Sequence, residues 1–160
     1  MQKVKIIAMG KLTENFFRAA ADEYLTRMSR FYSVTVAEPK PEQLPQNPGE
    51  NEIKNALLRE AAKIKPEIPP RAAVVAMCVE GVQKSSEELS DMMQSYASSG
   101  VSEICFIIGS SHGLSEEIKK AADVRLSVSK MTFPHELFRV MLLEQLYRAA
   151  EISAGGKYHK

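Results

Sequence analysis

Tryptophan is absent and cysteine occurs only twice in 160 residues, so neither a disulfide framework nor the CxxC spacing of a zinc site is available. Cys78 and Cys105 each sit inside an apolar run and read as buried thiols in a reducing compartment. No run approaches the ~20 apolar residues of a membrane span, and the apolar stretch of MQKVKIIAMGK is too short for a secretory leader. The expectation is a soluble, cytoplasmic protein with no membrane partner and no metal. A surplus of one charge is missing too: 21 Lys and Arg meet 20 Asp and Glu, for a formal net charge of +1. That balance excludes a protein that coats nucleic acid by bulk electrostatics, while a local basic cluster can still meet phosphates. Low-complexity tracts are lacking and 44% of the residues are hydrophobic, which fits one packed domain over residues 1–160.

Apolar β-rich runs alternate with helical patterns along the whole chain, the pattern of an α/β fold with a parallel sheet and crossover helices. Strands are expected at 4–9, 34–37, 72–79, 104–108 and 124–129. Gly10 and Gly81 should close the first and third. Thr13 should cap a helix carrying Phe16, Phe17, Ala20, Tyr24 and Leu25, and Ser85 should cap another with an acidic first turn. Helices are further expected at 50–65, 115–122 and from Pro134 to about Ser153. Between Pro39 and Pro48 four prolines exclude both helix and central strand, and a mobile excursion is expected. The last helix has apolar residues in nearly every direction around its axis. Such a helix must be covered on all sides, and a second subunit is the simplest source of the extra face, predicting a twofold dimer.

In open α/β sheets ligands collect beyond the carboxyl ends of the strands, where loops and helix N-termini offer free N–H groups. Three loops qualify: Met77 to Gly81, Gly109 to Leu114, and Val128 to Phe133. The Gly109-Ser-Ser-His-Gly113 loop, taken alone, reads as a plain strand-to-helix turn or as a nucleotide-binding turn. The dinucleotide GxGxxG and the GxxxxGK[ST] phosphate loop are both absent, which lowers hydride transfer and nucleotide hydrolysis. On the last helix His135 and Arg139 are four residues apart and share a face, followed on that stripe by Leu142 and Leu146. They are the start of a site, or else a helix cap and a partner for Glu136. Glu144 and Arg148 have ion-pair spacing, and the terminal Tyr158 and His159 follow two glycines in a tail that would ordinarily fray.

Taken together, Gly109 to Leu114, Ser129 to His135, Arg139-Val140, the EQLYRA run at 144–149 and the terminal Tyr158-His159 give the chain a resemblance. It resembles the ribosomal RNA large subunit methyltransferase H family, minimal members of the SPOUT class of knotted methyltransferases, from the opening KIIAMGKL to the closing YHK. The resemblance implies an α/β domain with a C-terminal trefoil knot (about residues 72–160), a homodimer, and S-adenosylmethionine as cofactor. It further implies methylation of N3 of a pseudouridine in 23S rRNA of the large ribosomal subunit. Matching positions place cofactor binding at Met77, Gly109, Val128, Ser129, Lys130, Met131, Thr132 and Phe133. The catalytic candidates are His135 and Arg139, with Tyr158 and His159 supplied by the partner subunit's tail.

Two positions depart from the family's pattern: Ser110 replaces a frequent second glycine, and Cys78 replaces a frequent acidic residue, leaving Glu80 as the carboxylate of its loop. A non-catalytic RNA-binding or ribosome-assembly dimer with the same fold is the alternative from another class of function. A flavodoxin-like or Rossmann-type enzyme is a third.

Overall fold

In the computed structural model, which describes residues 1–160, the apolar runs become five strands and the amphipathic runs five helices. In chain order these are β1 (Gln2–Ala8), α1 (Asn15–Met28), β2 (Tyr32–Ala37), α2 (Glu50–Ile64), β3 (Ala73–Gln83), α3 (Ser86–Ser98), β4 (Glu103–Ile108), α4 (Glu116–Ala121), β5 (Val124–Ser127) and α5 (His135–Ser153). Pro66 stops α2, and residues Lys65–Glu67 leave it as a 3-10 turn. All strand pairs are parallel, in the order β2-β1-β4-β3-β5.

A parallel sheet needs cover on both faces, and the pleat divides the apolar residues accordingly. From β4, Ile104, Phe106 and Ile108 enter one core, where residues of α1, α3 and α5 close over them. Cys105 and Ile107 enter the other, beneath Ala61 and Ile64 of α2 and Ile118 of α4. The thiol of Cys105 is fully buried, as expected, and burial pushes its pKa up to about 12.

Helix α5 packs against both α1 and α3, so one chain covers much of its circumference. Leu142, Leu143, Leu146 and Ala149 are buried without any second copy, while Leu137, Phe138, Val140 and Met141 are only half-buried. The all-round apolar pattern therefore reflects a central helix flanked on two sides, which removes most of its force as an argument for a dimer.

Four local expectations are corrected. Thr13 does not cap α1: Glu14 occupies that position, and Thr13 instead gives its backbone N–H (2.5 Å) and hydroxyl (3.0 Å) to Glu136 at the start of α5. Gly81 does not end β3, which continues to Gln83 past a bulge. β5 ends at Ser127, two residues early, where its neighbour β3 also ends: past the bulge Val82 pairs with Leu126 and Gln83 with Ser127. The proline segment is anchored: Gly10 N–H donates to Pro39 O (2.8 Å), Lys63 Nζ to Lys40 O (2.8 Å), and Glu42 N–H to the buried Glu60 carboxylate (2.9 Å). Ser85 caps α3 as expected, its hydroxyl accepting from Glu88 N–H while the Glu88 carboxylate accepts from Ser85 N–H.

Candidate active site

The carboxyl ends of β3, β4 and β5 are neighbours in the sheet, so the three loops singled out above converge. After β3 the register with β5 slips: Met77 and Val82 both stand opposite Leu126, and Cys78 to Gly81 bulge outward. Gly81 permits this, since a Cβ there would lie 2.7 Å from the Arg125 backbone. After β4 the chain folds back through a bridge between Ser110 and Gly113, whose N–H donates to Ser110 O (2.8 Å). A side chain at Gly109 would overlap the Gly113 carbonyl, and Gly113 itself has φ +86. Two glycines are thus needed for this turn, one for close approach and one for handedness. After β5 two hydroxyls shape the path: Ser127 Oγ donates to Ser129 O (2.9 Å), and Ser129 Oγ accepts from Met131 N–H (2.9 Å).

Together these segments enclose a cavity of about 340 Å3, within the ~300–1,000 Å3 span of small-molecule sites. Of the expected cofactor residues, Met77, Gly109, Val128, Ser129, Met131, Thr132 and Phe133 line it; Lys130 is exposed and does not. His135, from the first turn of α5, completes the wall beside Phe138.

Arg139 does not reach this cavity. It is buried, paired with Glu38 (2.5 Å) and donating to the Gly10 carbonyl (2.5 Å), so the shared helix face carries His135 to the cavity edge and Arg139 into the protein. Neither is it the partner of Glu136, which holds Thr13. The tail does not fray. Tyr158 packs its ring, tilted by 60°, against Tyr147 (centroids 4.7 Å) and donates to Glu144 (3.0 Å), and His159 bridges Arg148 (3.3 Å) and Glu87 (2.8 Å) of the same chain. Glu144, ion-paired with Arg148 as expected, lines a second cavity of about 530 Å3 that shares Met77, Ser127 and Val128 with the first.

Spacing gave no sign of Lys119, from α4, which lines the cavity and pairs with Glu80 and Glu116. Burial opposes its charge but is outweighed by the two carboxylates, leaving its pKa raised. Glu80 is held below the ordinary carboxylate range, first by its hydrogen bond from Lys119. The thiol of Cys78 is pushed up, by burial and then by Glu80, so at neutral pH it lines the cavity as a neutral group. Ser110 uses its hydroxyl on the buried Glu60 (2.7 Å), a tether that a glycine could not make. No three His, Cys, Asp or Glu side chains are grouped to hold a metal ion. No helix is long and apolar enough to cross a membrane.

A sequence profile described as "Predicted SPOUT methyltransferase" matches residues 2–159. Among similar proteins, the ribosomal RNA large subunit methyltransferase H of Clostridium botulinum (strain Alaska E43 / Type E3) is 45% identical over 98% of this chain and 99% of its own. The protein of the same name from Bacillus pumilus (strain SAFR-032) is 40% identical over the same shares. Among solved structures, a probable methylase family protein from Haemophilus influenzae Rd KW20 superposes with a TM-score of 0.58 at 11% identity, covering 98% of this chain and 70% of that one. A probable methyltransferase from Bordetella pertussis Tohama I gives 0.57 at 10% identity, covering 93% and 96%. These two likenesses concern the fold alone. Three strand-end loops meeting at one cavity, and relatives this similar over nearly the full length, lead to one assignment: the chain belongs to the SPOUT methyltransferases, in the ribosomal RNA large subunit methyltransferase H family.

Proposed function

We propose that this protein transfers a methyl group from S-adenosylmethionine to N3 of a pseudouridine in 23S rRNA, acting as a homodimer. The observation that carries the reading is the convergence of Met77, Gly109, the 128–133 segment and His135 on one cavity, in a chain whose relatives bear the name of a ribosomal RNA methyltransferase.

The cavity suits the cofactor. Met77, Ile108, Phe133 and Phe138 give apolar walls for a flat purine, and the bare Gly109 backbone lets a ligand approach closely. When bound, S-adenosylmethionine supplies an electrophilic methyl carbon on a sulfonium that departs as a neutral thioether. The chain's contribution is orientation, since holding two reactants in line removes much of the entropic barrier.

N3 of a uracil-type ring is protonated at neutral pH; His112 and His135 both line the cavity, and we assign the proton to His135 at the start of α5. We assign Arg139 a positioning role: by fixing Glu38 and the Gly10 carbonyl it holds the first turns of α5, and His135 with them. Tyr158 remains a neutral phenol, its pKa pushed up to about 12 by burial and then by Tyr24 and Glu144, so it serves as a hydrogen-bond donor and not as a base. A second copy presenting its own Tyr158 and His159 across the half-buried side of α5 would complete the site. The trefoil knot belongs to the same proposal: the chain leaves β5 beside the other two loops and then returns over the sheet as α5, between α1 and α3.

Mass-spectrometric mapping of 23S rRNA from cells with and without the protein tests the reading. A single methylpseudouridine lost on deletion and restored by the wild type, but not by His135→Ala, is expected; an unchanged modification pattern would refute it.

A further inference from the structure

Glu60 of α2 carries a carboxylate that is 3% exposed, and no step of the reaction proposed above uses it. The cations beside it on α2, Arg59 and Lys63, are turned to Glu42 instead (3.3 and 2.8 Å). Glu60 is left with two neutral donors: Ser110 Oγ reaches one of its oxygens (2.7 Å) and the Glu42 N–H the other (2.9 Å). A buried carboxylate without a cation is costly, and its two bonds show what it holds. We propose that Glu60 is a positioning residue for the methyl donor: it acts as a strut that sets the 109–113 turn in its donor-binding form before the donor arrives. The proposal rests on the function argued above and deepens it.

One end of the strut is fixed. Ala56, Ala61 and Ile64 are buried on the same face of α2 as Glu60, and Ala61 and Ile64 pack in the core with Ile7 and Ile107. The proline segment braces the carboxylate from the far side through Glu42, which Arg59 and Lys63 clamp to α2. Lys63 also donates to the Lys40 carbonyl (2.8 Å).

The other end is the turn, which has little to hold it. Ser111, His112 and Gly113 are exposed, and the Gly113 N–H is spent inside the turn on Ser110 O (2.8 Å). Gly109 and Gly113 have no side chains to pack, and glycine gives the backbone many alternative paths. The Ser110 hydroxyl therefore ties the turn sideways to α2. Ser110 stands next to Gly109 on the wall of the strand-end cavity, so fixing one fixes the backbone that meets the donor. A turn ordered in advance spares the ligand the cost of ordering it.

Ser110→Ala, Glu60→Met and the double variant test the strut, with circular dichroism to verify folding. Methionine fills the place of Glu60 while removing both acceptors and the charge. Two quantities are read: Kd for S-adenosylmethionine, and hydrogen exchange of the 110–114 amides in protein without cofactor. Each single variant is expected to raise Kd about fivefold or more and to speed exchange in the turn by a similar factor. The double variant should bind within about twofold of the weaker single one, because both changes remove the same bond. Ser110→Thr, which keeps a hydroxyl, should recover most of the affinity. Wild-type exchange and Kd in both single variants would overturn the proposal. A loss of affinity in Ser110→Ala but not in Glu60→Met would do so too, placing the hydroxyl itself on the donor. Where Glu60→Met does not fold, Ser110→Ala decides, and wild-type exchange in its turn overturns the strut. A wild type without saturable cofactor binding removes the functional reading and the turn's donor role together; equal binding by wild type and variants removes the strut alone.

Discussion

Glu136 joins the beginning of the last helix to the beginning of the chain through the N–H and hydroxyl of Thr13. Those bonds, the backbone one first, hold its carboxylate below its ordinary pKa of 4.5. A depressed acidic pKa stabilises the fold above the unfolded value and loses that contribution as pH falls through the folded one. Urea denaturation should therefore find Glu136→Gln less stable than wild type at pH 7, with the gap closing below about pH 4; a gap unchanged at pH 3 would contradict the linkage. Arg139 makes a sharper case, because its side chain is 6% exposed. Arg139→Ala strands Glu38 and the Gly10 carbonyl and should cost about 3 kcal/mol in denaturant unfolding. Lost methylation at wild-type stability would instead mean that Arg139 touches the substrate.

At the scale of elements, the strands were legible because a parallel sheet buries both faces and writes near-continuous apolar runs such as Ile104 to Ile108. The loops of the site were legible from their position after those runs and from Gly109 and Gly113, whose backbone demands leave few alternatives. What escaped was long-range. Thr13 has the composition of a cap, yet its hydroxyl is taken by a residue 123 positions away. The spacing of His135 and Arg139 gives a common helix face but cannot say that Gly10 and Glu38 wait for the second and the cavity for the first. Lys119 and Glu60 left no local signature at all. The tail escaped for the same reason, since its docking depends on Tyr147 and Glu144. Tyr158→Ala should accordingly lower stability by about 1–2 kcal/mol through the lost ring contact, read as a drop in melting temperature; an unchanged melt would mean the tail is not held.

For the whole molecule, fold and chemistry meet at one edge of the sheet. The order β2-β1-β4-β3-β5 sets three strand ends side by side, and α5 begins where they converge. The proposed donor pocket is the part on which the rest depends. Titration of S-adenosylmethionine into wild type and Gly109→Ala, with circular dichroism to verify folding, tests it most directly. One saturable site per chain is expected in the wild type, with affinity weakened about tenfold or more in the variant, because the added methyl displaces the Gly113 carbonyl. Absence of saturable binding, or equal affinity in a folded Gly109→Ala, would contradict the account.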